Sequence, residues 1–507
     1  MKCEAFTNAI EKTNVSVHNM KRKVIHLLIV GPGLCLMSCN KQLDKLPDNR
    51  AVITTVDQVT QLLVAAYPHA NYIPFTEPMS DNAEDKGTAP ATADPESYQI
   101  NSQSYRFEDV TSVRYDSPIA YWDSCYKAIA TANLALTYCN GPDSANYSAQ
   151  KGEALVCRAY AHFMLVCLFA KPYNPTTSAT DPGIPYVTQP QGSVFEKYQR
   201  GTVASVYGNI ESDLTRGISL IQDKIYGTAP KFHFTLQAAH AFAARFYLFK
   251  QNYAQVISHA SAVFGSSNPA SLIRDQVNDY ANLQYAQLAI KYVSSSNNAN
   301  ILLQEAQSAY FDSYAQYRYG YGQGLNVNFF NAPNVTGGSI AMITYGATPQ
   351  VFNFPKWSPY TVGNTVSGVR YGLIPLFSME EVLMNRAEAY ARTQNYNAAL
   401  ADLNAWVSKN IKKYDPGSNN VTTANASNFY GLPASDALVA TALDFKRFTY
   451  MQEGIRWLDN IRLGMTIYRF NGADFSTPIA AITASDNRRV LQLPPEAIAA
   501  GLEPNPK

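Results

Sequence analysis

The sequence predicts a mainly α-helical fold, a scaffold of repeated helical hairpins carrying long irregular loop insertions and a few short strands. Three observations lead there. Apolar residues recur at three- and four-residue spacing through much of the chain, the period of a helix with one buried face. One hairpin-sized segment occurs twice. Between the regular tracts lie two stretches with little helical period and many tyrosines, and segments that long without regular structure are usually functional.

The hairpin is clearest at residues 378–411. Ser378 and Glu381 have the spacing of a capping box at a helix start, and Met379, Val382, Leu383, Ala387 and Tyr390 then form one apolar face. The turn falls at Thr393-Gln394-Asn395, and Ala399, Leu400, Leu403, Trp406 and Val407 continue the period in a second helix. Residues 387–400 (AEAYARTQNYNAAL) align without gaps on residues 244–257 (ARFYLFKQNYAQVI), sharing alanine, tyrosine and the whole Gln-Asn-Tyr turn. These positions resemble the tetratricopeptide pattern, although the spacing between the copies is irregular. Tyr247 and Tyr390 fall at equivalent places in the two copies.

The amino terminus carries a processing signal. Lys21-Arg22-Lys23 precede an apolar run over residues 24–36, and Leu36-Met37-Ser38-Cys39 resembles the bacterial lipobox, whose cysteine is acylated after cleavage. The run is short and interrupted by Gly31-Pro32-Gly33, so it does not read as a spanning helix. Residues 1–38 are therefore expected to be an upstream extension plus signal peptide, with the true start at Met20, and residues 39–507 a single domain anchored through acyl chains on Cys39. Cys125, Cys139, Cys157 and Cys167 lie in helical apolar runs without metal or redox spacing, and are expected as buried free thiols.

Forty basic and thirty-nine acidic residues leave a formal net charge of +1, so no global field recruits nucleic acid. Tyrosine outnumbers phenylalanine, 34 to 23, which suits flat surfaces that also hydrogen-bond, such as those that take uncharged polar ligands.

Along the chain, helices are expected over residues 54–67, 121–138, 151–169 and 202–221, then in the first hairpin copy at 234–264. A helix is also expected over 276–292, then the second copy, and a last helical region over 437–464. The irregular tracts are 71–116 and, apart from 276–292, 269–375, the latter including the tyrosine-rich segment 310–330. Trp122, Trp406 and Trp457 sit on apolar faces and read as core, and Trp357 as the anchor of a strand-like segment before the second copy.

An enzyme is disfavoured. A glycosidase needs two carboxylates across a cleft, and none can be designated: Glu380-Glu381 belong to a helix's first turn, and Asp81, Glu84 and Asp85 lack calcium-loop spacing. The seven histidines form no HExxH pair, and no phosphate-cradling glycine motif or GxSxG elbow occurs. No cofactor or metal site is expected. A protein-binding adaptor built on the repeats is the other non-catalytic class open to such a scaffold.

The order of the pieces resembles the SusD/RagB family of outer-membrane nutrient-binding lipoproteins from Bacteroidetes, along nearly the whole chain. The residues carrying it are Cys39 with Leu43-Asp44; Tyr121-Trp122 leading to Tyr126, Ile129 and Asn133; and Glu153 with Arg158-Ala159-Tyr160-Ala161 ahead of Leu168-Phe169. Further on are Thr202-Val203 with Tyr207 and Ile210, Lys356-Trp357 before Glu381-Val382-Leu383-Met384 and Ala387-Glu388, and Glu453-Gly454 with Arg456-Trp457-Leu458-Asp459. The family's Asn-Pro-Gly-Tyr-like ending is reduced to Leu493-Pro494-Pro495 and Asn505-Pro506, and Asn40-Lys41-Gln42 stand where acidic residues often follow the cysteine. The resemblance implies a non-catalytic protein that binds an oligosaccharide or other oligomeric nutrient, peptides included. It implies delivery to a SusC-like TonB-dependent transporter, at the outer membrane and on the cell surface. It also implies that the inserted loops form the ligand surface, which makes Tyr72, Asp81, Asn82, Tyr98, Tyr105, Tyr314, Tyr317, Tyr319 and Tyr321 the candidate ligand-binding residues, with loop rings expected to be little buried in the free protein.

Overall fold

Paired helices build most of the fold, as the apolar periodicity requires. The computed structural model describes residues 53–87, 94–141, 143–190, 197–348, 351–362, 369–471 and 474–507. Cys39, the basic triplet and the apolar run of the signal lie outside the described residues. From Ile53 onward the chain forms one unit.

Pro118–Cys139 packs on Ser148–Phe169, which in turn packs on Val203–Ile218. Ser117 and Thr202 cap two of these helices by accepting from the amides of Ala120 and Ser205. Then come the two repeat copies, Leu236–Phe249 with Tyr253–Phe264 and Met379–Arg392 with Tyr396–Asn410. Their turns are superposable in chemistry. Gln251 and Gln394 take the left-handed conformation at φ 62° and 59°. Asn252 and Asn395 each donate to the tyrosine carbonyl five residues earlier at 2.9 Å, and their side chains cap the next helix by accepting from Gln255 and Ala398.

The two copies, far apart in sequence, are neighbours in space. Met379–Arg392 packs against both helices of the first hairpin, against its own partner, and against Ala434–Thr449. The intervening residues loop out, which explains why the repeat spacing is irregular in sequence. Within that insertion, Asn300–Gln307 pairs antiparallel with Val369–Ser378, which also pairs with Tyr360–Val362.

Several expectations are corrected. Ser378 does stand at the helix start, but no capping box forms: its hydroxyl bonds Tyr450, while Glu381 takes Arg245 and Glu380 takes Arg274. Residues 71–116 are not irregular throughout, since their described residues include the helices Ile73–Met79 and Pro95–Tyr105. The first has prolines and is buried on every side, and the second is almost wholly polar, so neither shows an amphipathic period. Residues 276–292 are helical only over Tyr285–Tyr292. Before it, Gln276 donates to the Lys409 carbonyl and Asp275 pairs with Lys409, strapping the segment to the second hairpin. The last helical region divides into Ala434–Thr449 and Ile455–Arg462. At the break, Glu77 accepts the amides of Gln452 and Gly454 at 2.8 and 2.7 Å. Gly454 has φ 71°, and a Cβ there would strike Thr76. A β-hairpin, Ile467–Asn471 with Asp474–Ile482, was not foreseen.

Trp122, Trp406 and Trp457 are buried, and all four helical cysteines are buried and free. Trp357 is buried against Phe311 and Tyr310. The chain end docks through Asn505, which donates to the carbonyls of Phe169 and Leu491 at 2.9 and 2.8 Å and accepts from Arg200.

Candidate functional site

The two tyrosine-rich tracts meet. Glu84–Asp85 pairs as a short antiparallel strand with Tyr319–Gly320. Asn101, on the Pro95–Tyr105 helix, brackets Tyr319 by donating to its carbonyl at 2.7 Å and accepting its amide at 3.2 Å. The rings of Tyr105 and Tyr319 stack 4.1 Å apart, and with Ala83 they form a small cluster separate from the main core. The Glu84 carboxylate accepts the amides of Gly324 and Leu325 at 2.9 and 2.6 Å. Burial pushes its pKa up to about 7 against those two bonds.

Most of the sequence-selected rings face inward at this seam. Tyr72, Tyr105, Tyr314, Tyr317, Tyr319 and Tyr321 are all buried, the most exposed at 7 %, which corrects the expectation that loop tyrosines bury little in the free protein. For three of them the hydroxyl explains how: Tyr314 donates to the Phe354 carbonyl and Tyr321 to Asn326, both at 2.8 Å, and Tyr317 accepts from Ser313 at 3.0 Å. A tyrosine satisfied in this way packs as core. Tyr72 lies edge-on to Tyr121. Asp81 and Asn82 are committed as well. Arg456 grips Asp81 with two bonds of 2.8 and 2.9 Å, Asn460 adds a third, and Arg447 donates to Asn82. Burial raises the Asp81 pKa, but Arg447 and Arg456 outweigh it and hold the carboxyl well below its usual range.

Tyr98 is the sequence-selected tyrosine left half-exposed. Arg318 chelates Asp85 through two hydrogen bonds of 2.7 Å, with the guanidinium 5.1 Å from the Tyr319 ring centroid and the Tyr98 hydroxyl nearby. The Arg318 and Asp85 side chains keep 37 % and 24 % of their surface in water. One turn back along the same helix edge, the cap residue Asp94 pairs with Arg114, whose guanidinium lies 4.5 Å over Tyr115. The result is a row of half-exposed aromatic faces, guanidinium forks and carboxylates on a rigid seam. Such a row offers apolar faces to C–H groups and charged donors and acceptors to hydroxyls. Sequence reasoning passed over Arg318 and Asp85 as binding groups, and the alternation Tyr317-Arg318-Tyr319 was the signal that could have found them. Among the described residues no group of three or more histidine, cysteine, aspartate or glutamate side chains is arranged to hold a metal ion.

The fold and seam define a class: a helical-hairpin scaffold, irregularly repeated, with inserted loops folded back as a cap. Residues 41–248 match a SusD-like family model described as starch-binding, associating with the outer membrane. Solved structures agree along most of the chain. A SusD superfamily protein from Bacteroides thetaiotaomicron is 19 % identical with a TM-score of 0.67, covering 90 % of this chain and 100 % of that one. A SusD-like carbohydrate binding protein from Bacteroides vulgatus is 15 % identical with a TM-score of 0.65, covering 88 % and 97 %. A laminarin binding SusD-like protein is 18 % identical with a TM-score of 0.55, covering 89 % and 99 %. Comparison with curated protein sequences finds no match. Residues 41–248 thus carry the SusD-like family match, and the chain as a whole shares the fold of these SusD-like structures.

Proposed function

We propose that this protein is a non-catalytic lipoprotein, anchored through Cys39 at the outer membrane, that captures an oligosaccharide and delivers it to a SusC-like TonB-dependent transporter. The observation that carries the reading is the half-exposed row of Tyr98, Arg318 and Asp85 where the two inserted tracts meet. It has the mixed apolar and hydrogen-bonding character that sugar rings require, and it sits on a fold shared with proteins described as carbohydrate binding and laminarin binding. The buried tyrosines of the cap act in this reading as support for that row.

The test is a screen of the soluble chain from residue 40 onward against glycan and peptide arrays, followed by titration of the best hit. Tyr98→Ala should weaken binding about fivefold and Arg318→Ala about tenfold or more, with melting curves unchanged. A hit confined to peptides, or full affinity retained in both variants, would overturn the reading.

A further inference from the structure

A second surface lies on the helical scaffold, among Pro118–Cys139, Ser148–Phe169 and Val203–Ile218. It is a polar cleft of about 340 Å³, at the small end of the roughly 300–1,000 Å³ of small-molecule sites. Its construction starts from two glycines. A Cβ on Gly152 would lie 2.8 Å from the Ile221 amide nitrogen, and one on Gly217 would lie 2.9 Å from the Gly152 carbonyl oxygen. The second and third of these helices therefore touch backbone to backbone. Lys151 and Arg216 immediately precede these glycines, so the crossing brings two cations to one cleft, which both of them line.

Neither cation is neutralised. Among the described residues, Arg216 is the one arginine whose guanidinium makes no hydrogen bond, ion pair or ring contact, and the Lys151 ammonium likewise has no ion pair or hydrogen bond. Asp213 is the single carboxylate lining the cleft, and it is already spent. Arg158 donates to both its oxygens at 2.7 and 2.8 Å, and the Tyr186 hydroxyl donates to Oδ2 at 2.5 Å. The cleft thus holds three cations against one fully engaged carboxylate, while Asn209, exposed at the rim, supplies an amide. Two unpaired cations brought to one cleft by a backbone crossing make it favourable for an anion. Guanidinium and ammonium groups form strong charge-assisted bonds to carboxylates.

We propose that this cleft binds the carboxylate of an acidic sugar residue, a hexuronate, with Lys151 and Arg216 pairing the carboxylate and Asn209 bonding ring hydroxyls. The unpaired cations of the cleft call for the carboxylate, the sugar ring that bears it rests on the oligosaccharide-binding reading above, and the site is separate from the Tyr98–Arg318 row.

The test titrates the detergent-solubilised full-length protein with D-galacturonate, D-galactose and inorganic phosphate. Galacturonate should bind, galactose should not, and affinity should fall about tenfold or more in Lys151→Met and in Arg216→Gln. Arg318→Ala should leave galacturonate affinity unchanged, which distinguishes this site from the cap surface. Both scaffold substitutions are at solvent-facing positions, and thermal unfolding alongside each titration identifies a variant that fails to fold, for which Arg216→Lys serves as the replacement and should retain part of the affinity. Absence of galacturonate binding, equal affinity for phosphate and galacturonate, or full affinity in the Lys151→Met/Arg216→Gln double variant would each overturn the proposal.

Discussion

Replacing Arg245 by methionine tests how the two repeat copies are joined. Arg245 leaves the first hairpin and meets Glu381 in the first turn of the second through bonds of 2.6 and 2.5 Å, with only 2 % and 3 % of the two side chains exposed. It also donates to the Leu376 carbonyl at 2.6 Å and lies 4.1 Å over the Phe377 ring. Methionine keeps much of the packing volume but leaves the Glu381 carboxylate buried, its nearest remaining donor being Asn385 at 3.5 Å. Breaking one side of a buried pair costs about 3–5 kcal/mol, because the surviving charge is uncompensated. Removing both sides also removes the desolvation penalty, so Arg245→Met/Glu381→Leu should recover most of the loss. The pair is not perfectly satisfied, since Arg245 Nη1 has no partner, which favours that recovery. Equilibrium urea unfolding of the two single variants and the double variant measures the coupling. Single variants costing under about 1 kcal/mol, or a double variant as unstable as the sum of the two, would refute the idea that this ion pair joins the repeats.

Two further outcomes follow from the cap. Tyr314→Ala and Tyr321→Ala should each cost about 3–5 kcal/mol, as for other buried aromatics, whereas Tyr98→Ala should leave the urea midpoint nearly unchanged; the three unfolding curves decide it. Stability should also fall as pH rises from about 4.5 through about 7. Burial pushes the carboxyls of Glu77, Glu84 and Asp116 up to about 7 against the amides they accept. The folded chain therefore keeps protons that the unfolded chain has already released, so these groups favour folding below the unfolded values and lose that contribution as pH passes 7. Asp81, held low by its arginines, acts oppositely and only in acid, its contribution vanishing as pH falls below the usual carboxylate range. Urea midpoints at pH 5 and pH 8 should differ in wild type, and the difference should shrink in Glu77→Gln/Glu84→Gln, with Asp116 supplying what remains.

The scaffold was legible because helix periodicity and turn chemistry are local. The Gln-Asn-Tyr turn repeats in sequence since a left-handed residue followed by a capping asparagine is one solution to closing a helical hairpin, and the structure uses it twice. The residues carrying the family resemblance combine core positions with internal polar links. Arg158 holds Asp213 and Asn133, Lys356 pairs with Glu453, and Asp459 takes Lys446 and Arg462. What escaped the sequence was long-range. Glu380 and Glu381 look like ordinary first-turn acids, because nothing local announces that Arg274 and Arg245 come from other helices. The same holds for the tyrosines: a ring whose hydroxyl finds a buried carbonyl has the same sequence signature as one facing a ligand, so the tract 310–330 was rich in candidates and yielded mostly core.

That burial changes how the proposed ligand surface would work. Glu77, Glu84 and Asp116 each accept backbone amides from a segment distant in sequence: Gln452 and Gly454, Gly324 and Leu325, and Ala309. A carboxylate spanning two segments in a buried site ties the order of one to the order of the other. The cap is thereby fastened to the scaffold at several points, and the Tyr105–Tyr319 stack beneath Arg318 is built before any ligand arrives. Binding at the proposed row then costs little ordering entropy, and its selectivity rests on the fixed spacing of Tyr98, Arg318 and Asp85. A flexible loop closing over its ligand would instead need exposed rings and unfastened backbone, which is the reverse of the arrangement that these carboxylates and tyrosines adopt.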